Sequence, residues 1–208
     1  MAMADRPGAE VWTYRGLFVG LAFLLLFFRL LPLRPSEGTW AWLDMILPEQ
    51  ATRVLLRVTT GSEAGFWPGA DVLLCIILTW AMRRPDCVPV LLLAAVLLIE
   101  DVVLMRPPGL WTALVLLAAE FLRGRAELTR GVSFMVEWII ASALIFGLLI
   151  GYRIILAITF VPQPPFGFGL VQILATILCY PLVVAFSHYA LDMQKPAMGE
   201  IDARGRRL

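Results

Sequence analysis

Six apolar segments, separated by charged or proline-containing breaks, dominate this sequence of 208 residues. The chain is 60% hydrophobic and only 16% charged, which is more apolar material than one soluble core of this size can bury. A bilayer accommodates a helix of about 20 apolar residues, and fewer where the helix lies between others. Because backbone groups inside a bilayer must be hydrogen-bonded within the segment, each segment is expected to be helical. The sequence therefore predicts an all-α polytopic membrane protein with six transmembrane helices.

The six predicted spans form a single integral membrane domain over residues 1–208. They lie near residues 14–33, 67–82, 87–104, 109–122, 134–160 and 168–189. The first follows two arginines, as a secretory signal would, but no small-x-small cleavage site comes after it, so it is predicted to be retained. The second and fourth segments are short for a bilayer crossing.

The longest connection, residues 34–66, is predicted to contain a short helix near 48–58 that lies in the membrane interface. Pro48 can occupy the first position of such a helix. Glu49, Arg53 and Arg57 then share one stripe at i, i+4 spacing, while apolar residues occupy another. The pattern leaves two interpretations open: the helix rests on lipid, or it is a docking surface for a partner.

Basic residues are unevenly distributed between alternate connections. Eleven of the 17 lie on the side of the N-terminus, opposite the connection 34–66: Arg6, Arg15, Arg83, Arg84, Arg123, Arg125, Arg130, Lys195, Arg204, Arg206 and Arg207. Loops rich in arginine and lysine tend to stay in the cytoplasm, so both termini are predicted to be cytoplasmic. With 17 basic and 16 acidic residues, the overall charge gives no indication of nucleic-acid binding.

Charged residues also occur inside or at the ends of the apolar segments, where an ionisable group is costly. On the predicted topology six of them fall in the outer half of the membrane: Arg29, Asp71, Glu100, Asp101, Arg106 and Arg153. Pairing is the least costly way to keep opposite charges in low dielectric, so Arg153 is predicted to pair with Asp71 or Asp101. The alternative is that each side chain reaches the interface singly.

The residue pattern indicates neither catalysis nor metal binding. The three cysteines lie in or beside apolar runs and form no CxxC pair. The only histidine, His188, has Ser187 beside it, but adjacent residues on a helix point in different directions and do not form a catalytic pair. The sequence contains no Gly-rich phosphate loop and no HExxH motif. We therefore expect a protein that is not an enzyme and that needs no cofactor or metal.

Two segments have small residues at the spacing that allows close helix contact. Gly16 and Gly20 form GxxxG in the first segment, and Ala143, Gly147 and Gly151 extend the spacing in the fifth. Packing within the chain is the commoner use of such a face. Binding of a separate helix is the alternative.

A succession of short motifs occupies residues 69–125. In order they are Asp71-Val72-Leu73-Leu74, Trp80-Ala81-Met82-Arg83-Arg84-Pro85, an apolar run closing on Asp101, and Pro108-Gly109-Leu110 with Ala113-Leu114. This succession resembles the pattern of the rod shape-determining MreD family. Three positions depart from that pattern: Ala70 replaces a frequent Pro, Leu97 a usual Gly, and Pro108 a frequent Leu.

The resemblance implies a multi-pass protein of the bacterial inner membrane that acts as a non-enzymatic scaffold for cell-wall elongation and cell shape. The expected direct partner is the bitopic protein MreC, with the actin-like MreB, the glycosyltransferase RodA and a class B penicillin-binding protein in the same complex. It also implies a fold similar to the substrate-binding membrane subunits of energy-coupling-factor transporters. Six residues are candidates for structural or partner-binding roles: Asp71, Arg84, Pro85, Asp101 and Gly109 by match to the motif, and Arg153 by burial alone.

Two other functions remain open on the residues themselves. The outer charged groups could bind a polar ligand, as in a small-molecule-binding subunit of a transporter. The carboxylates Glu100 and Asp101 could instead belong to a membrane enzyme that acts on a lipid-linked substrate. A self-paired, dry charge cluster would favour the scaffold over the ligand-binding subunit.

Overall fold

The computed structural model describes residues 7–30, 70–125, 133–161, 163 and 166–189, and this part of the chain is helical without a strand. Its six α-helices are α1 Pro7–Leu30, α2 Val72–Arg83, α3 Val90–Val103, α4 Leu110–Gly124, α5 Phe134–Ile158 and α6 Phe166–Tyr189. A 3-10 turn, Pro85–Cys87, joins α2 to α3. The all-α prediction is confirmed for these residues, and a helix lies at each of the six apolar segments.

Three of the helices are long and apolar enough to cross a membrane: Val11–Leu30 of α1, Phe134–Ile158 and Phe166–Tyr189. α2, α3 and α4 have only 12, 14 and 15 residues. At 1.5 Å per residue α2 is about 18 Å long, well short of a bilayer core of about 30 Å. The chain is therefore a membrane protein on the evidence of its long helices, while the crossing by the three short helices remains a prediction. The predicted interfacial helix near 48–58 and both termini lie outside the described residues.

The short helix α2 lies at the centre of the bundle. Every residue from Leu73 to Arg83 is buried, because α2 packs against α1, α4 and α6. Trp80 is fully buried and contacts the ring of Phe18 on α1 at 5.6 Å between centroids. A helix that is apolar on all sides is stable only when other helices surround it, or lipid does. Here helices surround it, which explains how so short a segment is accommodated.

Successive helices run in alternating directions, so polar groups collect at two opposite ends of the bundle. At one end Arg15 of α1 donates to the carbonyl of Asp86 at 3.3 and 3.1 Å. At the other end Arg29 of α1 pairs with Glu100 of α3 at 2.8 Å. The first end also holds the beginning of α5, and the second holds the turn between α3 and α4.

The α3–α4 turn depends on a glycine in a left-handed conformation. Gly109 has φ +87°, a region that other L-residues adopt only with strain. It precedes the first residue of α4, and its N–H donates to Asp101 at 3.0 Å. The turn from α3 into α4 therefore needs both the glycine and the carboxylate.

Replacing Gly109 by alanine should lower the free energy of unfolding by about 1–2 kcal/mol, the usual cost of a β carbon in the left-handed region. Gly124 is the matched control, because it lies in the last turn of α4, has helical geometry, and has open space around a β carbon. Gly124→Ala should be neutral or stabilise by up to about 1 kcal/mol. Unfolding of both variants in detergent micelles measures the difference. Equal effects would show that backbone strain at 109 is not the cause.

Candidate functional site: two buried charge clusters

The first cluster, here called the Glu100 cluster, consists of Arg29, Asp71, Glu100, Asp101 and Arg106. Nη1 of Arg29 lies 2.8 Å from Oε1 of Glu100 and 3.6 Å from Oδ2 of Asp71. Nη1 of Arg106 lies 3.9 Å from the same Glu100 oxygen, and its guanidinium lies over the ring of Trp111 at 5.4 Å. The three carboxylate side chains are buried, at 3%, 2% and 0% exposure in sequence order. Three helices, α1, α3 and the start of α2, are thus joined through one guanidinium.

Asp71 also caps the N-terminus of α2. Its Oδ1 accepts from the N–H of Leu74 at 3.1 Å, the N-cap arrangement that satisfies one of the free donors of a first turn. Its own N–H donates to Oγ1 of Thr176 on α6 at 3.0 Å. One residue therefore starts α2, ties it to α6, and supplies charge to the Glu100 cluster.

Asp101 performs the same task for α4 from the neighbouring helix. Its Oδ2 accepts from the N–H of Gly109 at 3.0 Å, the N–H of Thr112 at 3.3 Å and the hydroxyl of Thr112 at 2.8 Å. A carboxylate at a helix N-terminus is favoured by the free N–H groups and by the helix dipole. The capping residue lies eight positions before Gly109, across the turn, so it also locks the α3–α4 hairpin.

The second cluster, here called the Arg83 cluster, consists of Arg83, Glu137 and Tyr180 at the opposite end of the bundle. Nε and Nη2 of Arg83 donate to Oε1 and Oε2 of Glu137 at 3.3 and 3.4 Å. The hydroxyl of Tyr180 donates to Oε1 of Glu137 at 3.3 Å. Glu137 is 1% exposed, so this two-point ion pair between α2 and α5 is shielded from solvent.

The candidate residues have different environments. Asp71, Asp101 and Gly109 belong to the helix-capping network described above. Pro85 begins the 3-10 turn, where its fixed φ suits a first position, whereas the side chain of Arg84 is exposed. Arg153 is half-buried, and its guanidinium lies over the ring of Phe166 at 5.6 Å.

Asp71 and Asp101, the two carboxylates predicted to pair with Arg153, both have other partners in the structure. Asp71 has Arg29 beside it at 3.6 Å, and Asp101 has Gly109 and Thr112. Arg153 packs against Gly169 of α6, with Nη1 3.0 Å from the position of a β carbon there. The outer-half charges come together from several helices, and Arg29 joins two of their carboxylates. The pairing of Arg153 with Asp71 or Asp101 stays a prediction.

Sequence reasoning missed Arg83 and Glu137. Both lie near the ends of apolar segments, where a charged side chain is ordinarily expected to reach the interface. The sequence does contain an indication of this pair. Glu137 lies near the start of the fifth apolar segment, and the predicted topology places it at the same membrane depth as Arg83 and Arg84, which end the second segment.

The chemistry of the two clusters is that of ion pairing and helix capping. Ser187, the hydroxyl next to His188, accepts from Nε1 of Trp80 at 3.3 Å and so is engaged in packing α6 against α2. Among the described residues no three His, Cys, Asp or Glu side chains are placed to hold a metal ion. No family model, curated protein or solved structure matches this chain. The functional argument therefore depends on the geometry of the chain itself and on the motif succession.

The geometry gives that motif succession a physical meaning. Asp71 starts α2, Arg83 ends it in an ion pair, Pro85 opens the turn to α3, and Asp101 caps α4 through Gly109. Each motif thus lies at an end of one of the three short helices. Helices too short to cross a bilayer alone need such fixed ends, because each unsatisfied backbone group in a low-dielectric environment costs several kcal/mol, on the order of a full hydrogen bond.

Proposed function

We propose that this protein is a non-enzymatic scaffold of the bacterial inner membrane, a member of the cell-wall elongation complex that maintains rod shape. Its direct partner is an MreC-like bitopic protein, and MreB, RodA and a class B penicillin-binding protein belong to the same assembly. Six crossings with both termini in the cytoplasm complete the proposal. The motif succession supports it by resemblance, because Asp71, Arg84, Pro85, Asp101 and Gly109 match the family pattern.

One structural observation carries the choice of a scaffold over a ligand-binding subunit. The carboxylates of the Glu100 cluster are buried and face two half-buried arginines, with Arg29 bound to Glu100 at 2.8 Å and Asp101 holding three donors. A site for a polar ligand would instead present such groups to an open cavity. Their strongest contacts hold helices together, which is the requirement for a rigid membrane platform.

The surface offers faces on which another helix could pack. Nothing among the described residues lies within 4 Å of a β carbon built at Gly16, Gly20, Gly147 or Gly151. The GxxxG face of α1 and the small-residue face of α5 therefore point away from the described bundle. Within a membrane, small residues on an open face permit close approach of another helix. This favours the second of the two uses considered for these faces.

Depletion and co-purification test the proposal together. Cells depleted of the protein should become round, and the tagged protein extracted from native membranes should recover an MreC-like partner. Cells that remain rod-shaped on depletion, together with no such partner, would contradict the scaffold. A polar small molecule recovered with the purified protein would favour the transporter subunit instead.

Leucine substitutions identify the face that binds the partner. Gly16→Leu and Gly147→Leu add bulk in open space and replace glycine by a better helix former, so the folded protein should tolerate both. The leucine that lies on the face to which the partner binds should reduce recovery of the partner at least tenfold. This corresponds to a loss of about 1.4 kcal/mol or more in binding free energy. The other leucine variant is the matched control. Unchanged recovery with both would place the interface elsewhere.

A further inference from the structure

The Glu100 cluster contains more buried acceptor oxygens than the donors around it satisfy. Among its five residues three carboxylates face two guanidiniums, so the cluster has a net negative charge if every group is ionised. One oxygen of each carboxylate, Asp71 Oδ2, Glu100 Oε2 and Asp101 Oδ1, is buried without a hydrogen-bond donor from the described residues, and one donor, Nη1 of Arg106, is buried without an acceptor among them. A buried ionised oxygen with no donor is costly, because low dielectric strengthens every uncompensated charge.

Three agents could satisfy such oxygens: a metal ion, a water molecule or a proton. The carboxylates are not arranged around a common point that would hold a metal ion, within the residues described. A water molecule needs space as well as two or more polar partners. A proton needs no space, removes one negative charge, and converts an acceptor oxygen into a donor.

The hydrogen bonds indicate which carboxylate takes the proton. Asp101 accepts three hydrogen bonds at the start of α4, and Asp71 accepts one from the first turn of α2, so both carboxylates are used to cap helices. Glu100 caps no helix, and its Oε1 alone receives Arg29 and faces Arg106, which leaves Oε2 available for the proton.

Charged and titratable groups face Glu100 from several elements. Arg29 comes from α1, Asp71 from the start of α2, and Asp101 and Arg106 from the end of α3 and the turn after it. α5 contributes Tyr152, which packs edge-on against Trp111 of α4 at 5.5 Å. From α6 the nearest polar group on the Asp71 side is the hydroxyl of Thr176, which does not titrate.

We propose that Glu100 is a proton-binding group, neutral in the folded protein at neutral pH, whose proton makes the attachment of α1 to the bundle sensitive to pH. The proton comes from water and resides on Oε2, so Arg29 and Arg106 then balance Asp71 and Asp101. Loss of the proton leaves one carboxylate of the cluster unbalanced, beside Asp71. This inference rests on the geometry of the cluster and does not depend on the scaffold function.

The sign of the pH effect follows from linkage. At neutral pH the folded protein holds a proton on Glu100 that the unfolded chain has already released, so the folded state binds more protons. Stability must therefore fall as pH rises through the range in which folded Glu100 loses its proton. At lower pH, where the unfolded chain also binds the proton, this dependence disappears.

Infrared spectroscopy of the full-length protein in lipid bilayers tests the proposal directly. At neutral pH the wild type should show the carbonyl band of a protonated carboxylic acid, separate from the carboxylate bands. The band should be absent in Glu100→Gln and present in Glu120→Gln, a control whose side chain is exposed and paired with Arg123. A wild type without the band would overturn the proposal. A band that survives Glu100→Gln but vanishes in Asp71→Asn would overturn the assignment to Glu100.

Two further measurements keep the test decisive if Glu100→Gln folds poorly. The wild-type band alone should diminish as pH is raised, and its persistence at all pH values would contradict a titrating group. The melting temperature of the wild type should fall as the pH is raised above neutral, and the fall should be smaller in Glu100→Gln, because glutamine resembles the neutral acid. Equal falls in both proteins would overturn the proposal.

Discussion

Replacing Arg83 by alanine should destabilise the protein by about 3–5 kcal/mol, the cost of removing one partner of a buried ion pair. The loss leaves Glu137, which is 1% exposed, with the hydroxyl of Tyr180 but without the two guanidinium donors. The charge cannot move to solvent, because α2, α5 and α6 enclose it. A loss of this size is a large part of the total stability of an ordinary domain, so the variant should also accumulate poorly in membranes.

Arg84→Ala is the matched control, since it removes the same side chain one position later, where the side chain is exposed. It should change the free energy of unfolding by less than about 0.5 kcal/mol. Unfolding in detergent micelles, followed by tryptophan fluorescence, measures both variants. The double variant Arg83→Met with Glu137→Leu should recover much of the loss, because an apolar pair of similar size often replaces a buried ion pair without cost. Equal losses for Arg83→Ala and Arg84→Ala would contradict the assigned role of the Arg83 cluster.

The positions of the helices could be predicted from the sequence because apolar runs and proline-containing breaks are local signals. α5 was predicted near 134–160 and occupies Phe134–Ile158; α3 was predicted near 87–104 and occupies Val90–Val103. The breaks Arg84-Pro85 and Pro107-Pro108-Gly109 end helices for reasons contained in the residues themselves.

The partners of the charges could not be predicted, because an apolar helix carries little information about which face points inward. Arg83 is buried as the last residue of α2, whereas Arg84 follows the end of the helix with non-helical backbone angles and is exposed. For the same reason the sequence could not show that Arg29 reaches both Asp71 and Glu100. Depth along a helix can be counted from the sequence, but rotation about its axis requires the tertiary packing.

The hydrogen bonds between Asp101 and the start of α4 also could not be predicted from local sequence patterns. An N-cap is ordinarily sought directly before the helix, and Gly109 occupies that position without a side chain to offer. The cap comes from the preceding helix, and it reaches α4 only because the turn brings the end of α3 back to it. The motif succession contained both residues, yet it did not show that they bind each other.

Asp101→Ala is expected to destabilise the protein by about 3 kcal/mol or more. It leaves three donors without their acceptor, of which the N–H and hydroxyl of Thr112 are buried, and each unsatisfied buried donor costs about 1–3 kcal/mol. It also removes a negative charge from the N-terminus of α4, an interaction of about 0.3–1 kcal/mol or more in a partly buried site. Asp101→Asn should lose less, because its amide oxygen can still accept from the same donors.

Asp86→Ala is the control for this substitution, because it removes an exposed aspartate from the α2–α3 turn and should be nearly neutral. Adding Thr112→Val to Asp101→Ala isolates the side-chain bond: the valine removes the hydroxyl that would otherwise remain unsatisfied. The double variant should therefore lose less stability than the sum of the losses of the two single variants. The difference, the coupling energy, should be about 0.5–3 kcal/mol, as found for directly contacting residues. Additive losses would mean that Asp101 and Thr112 do not interact in the folded protein, and the locked α3–α4 hairpin would then need another cause.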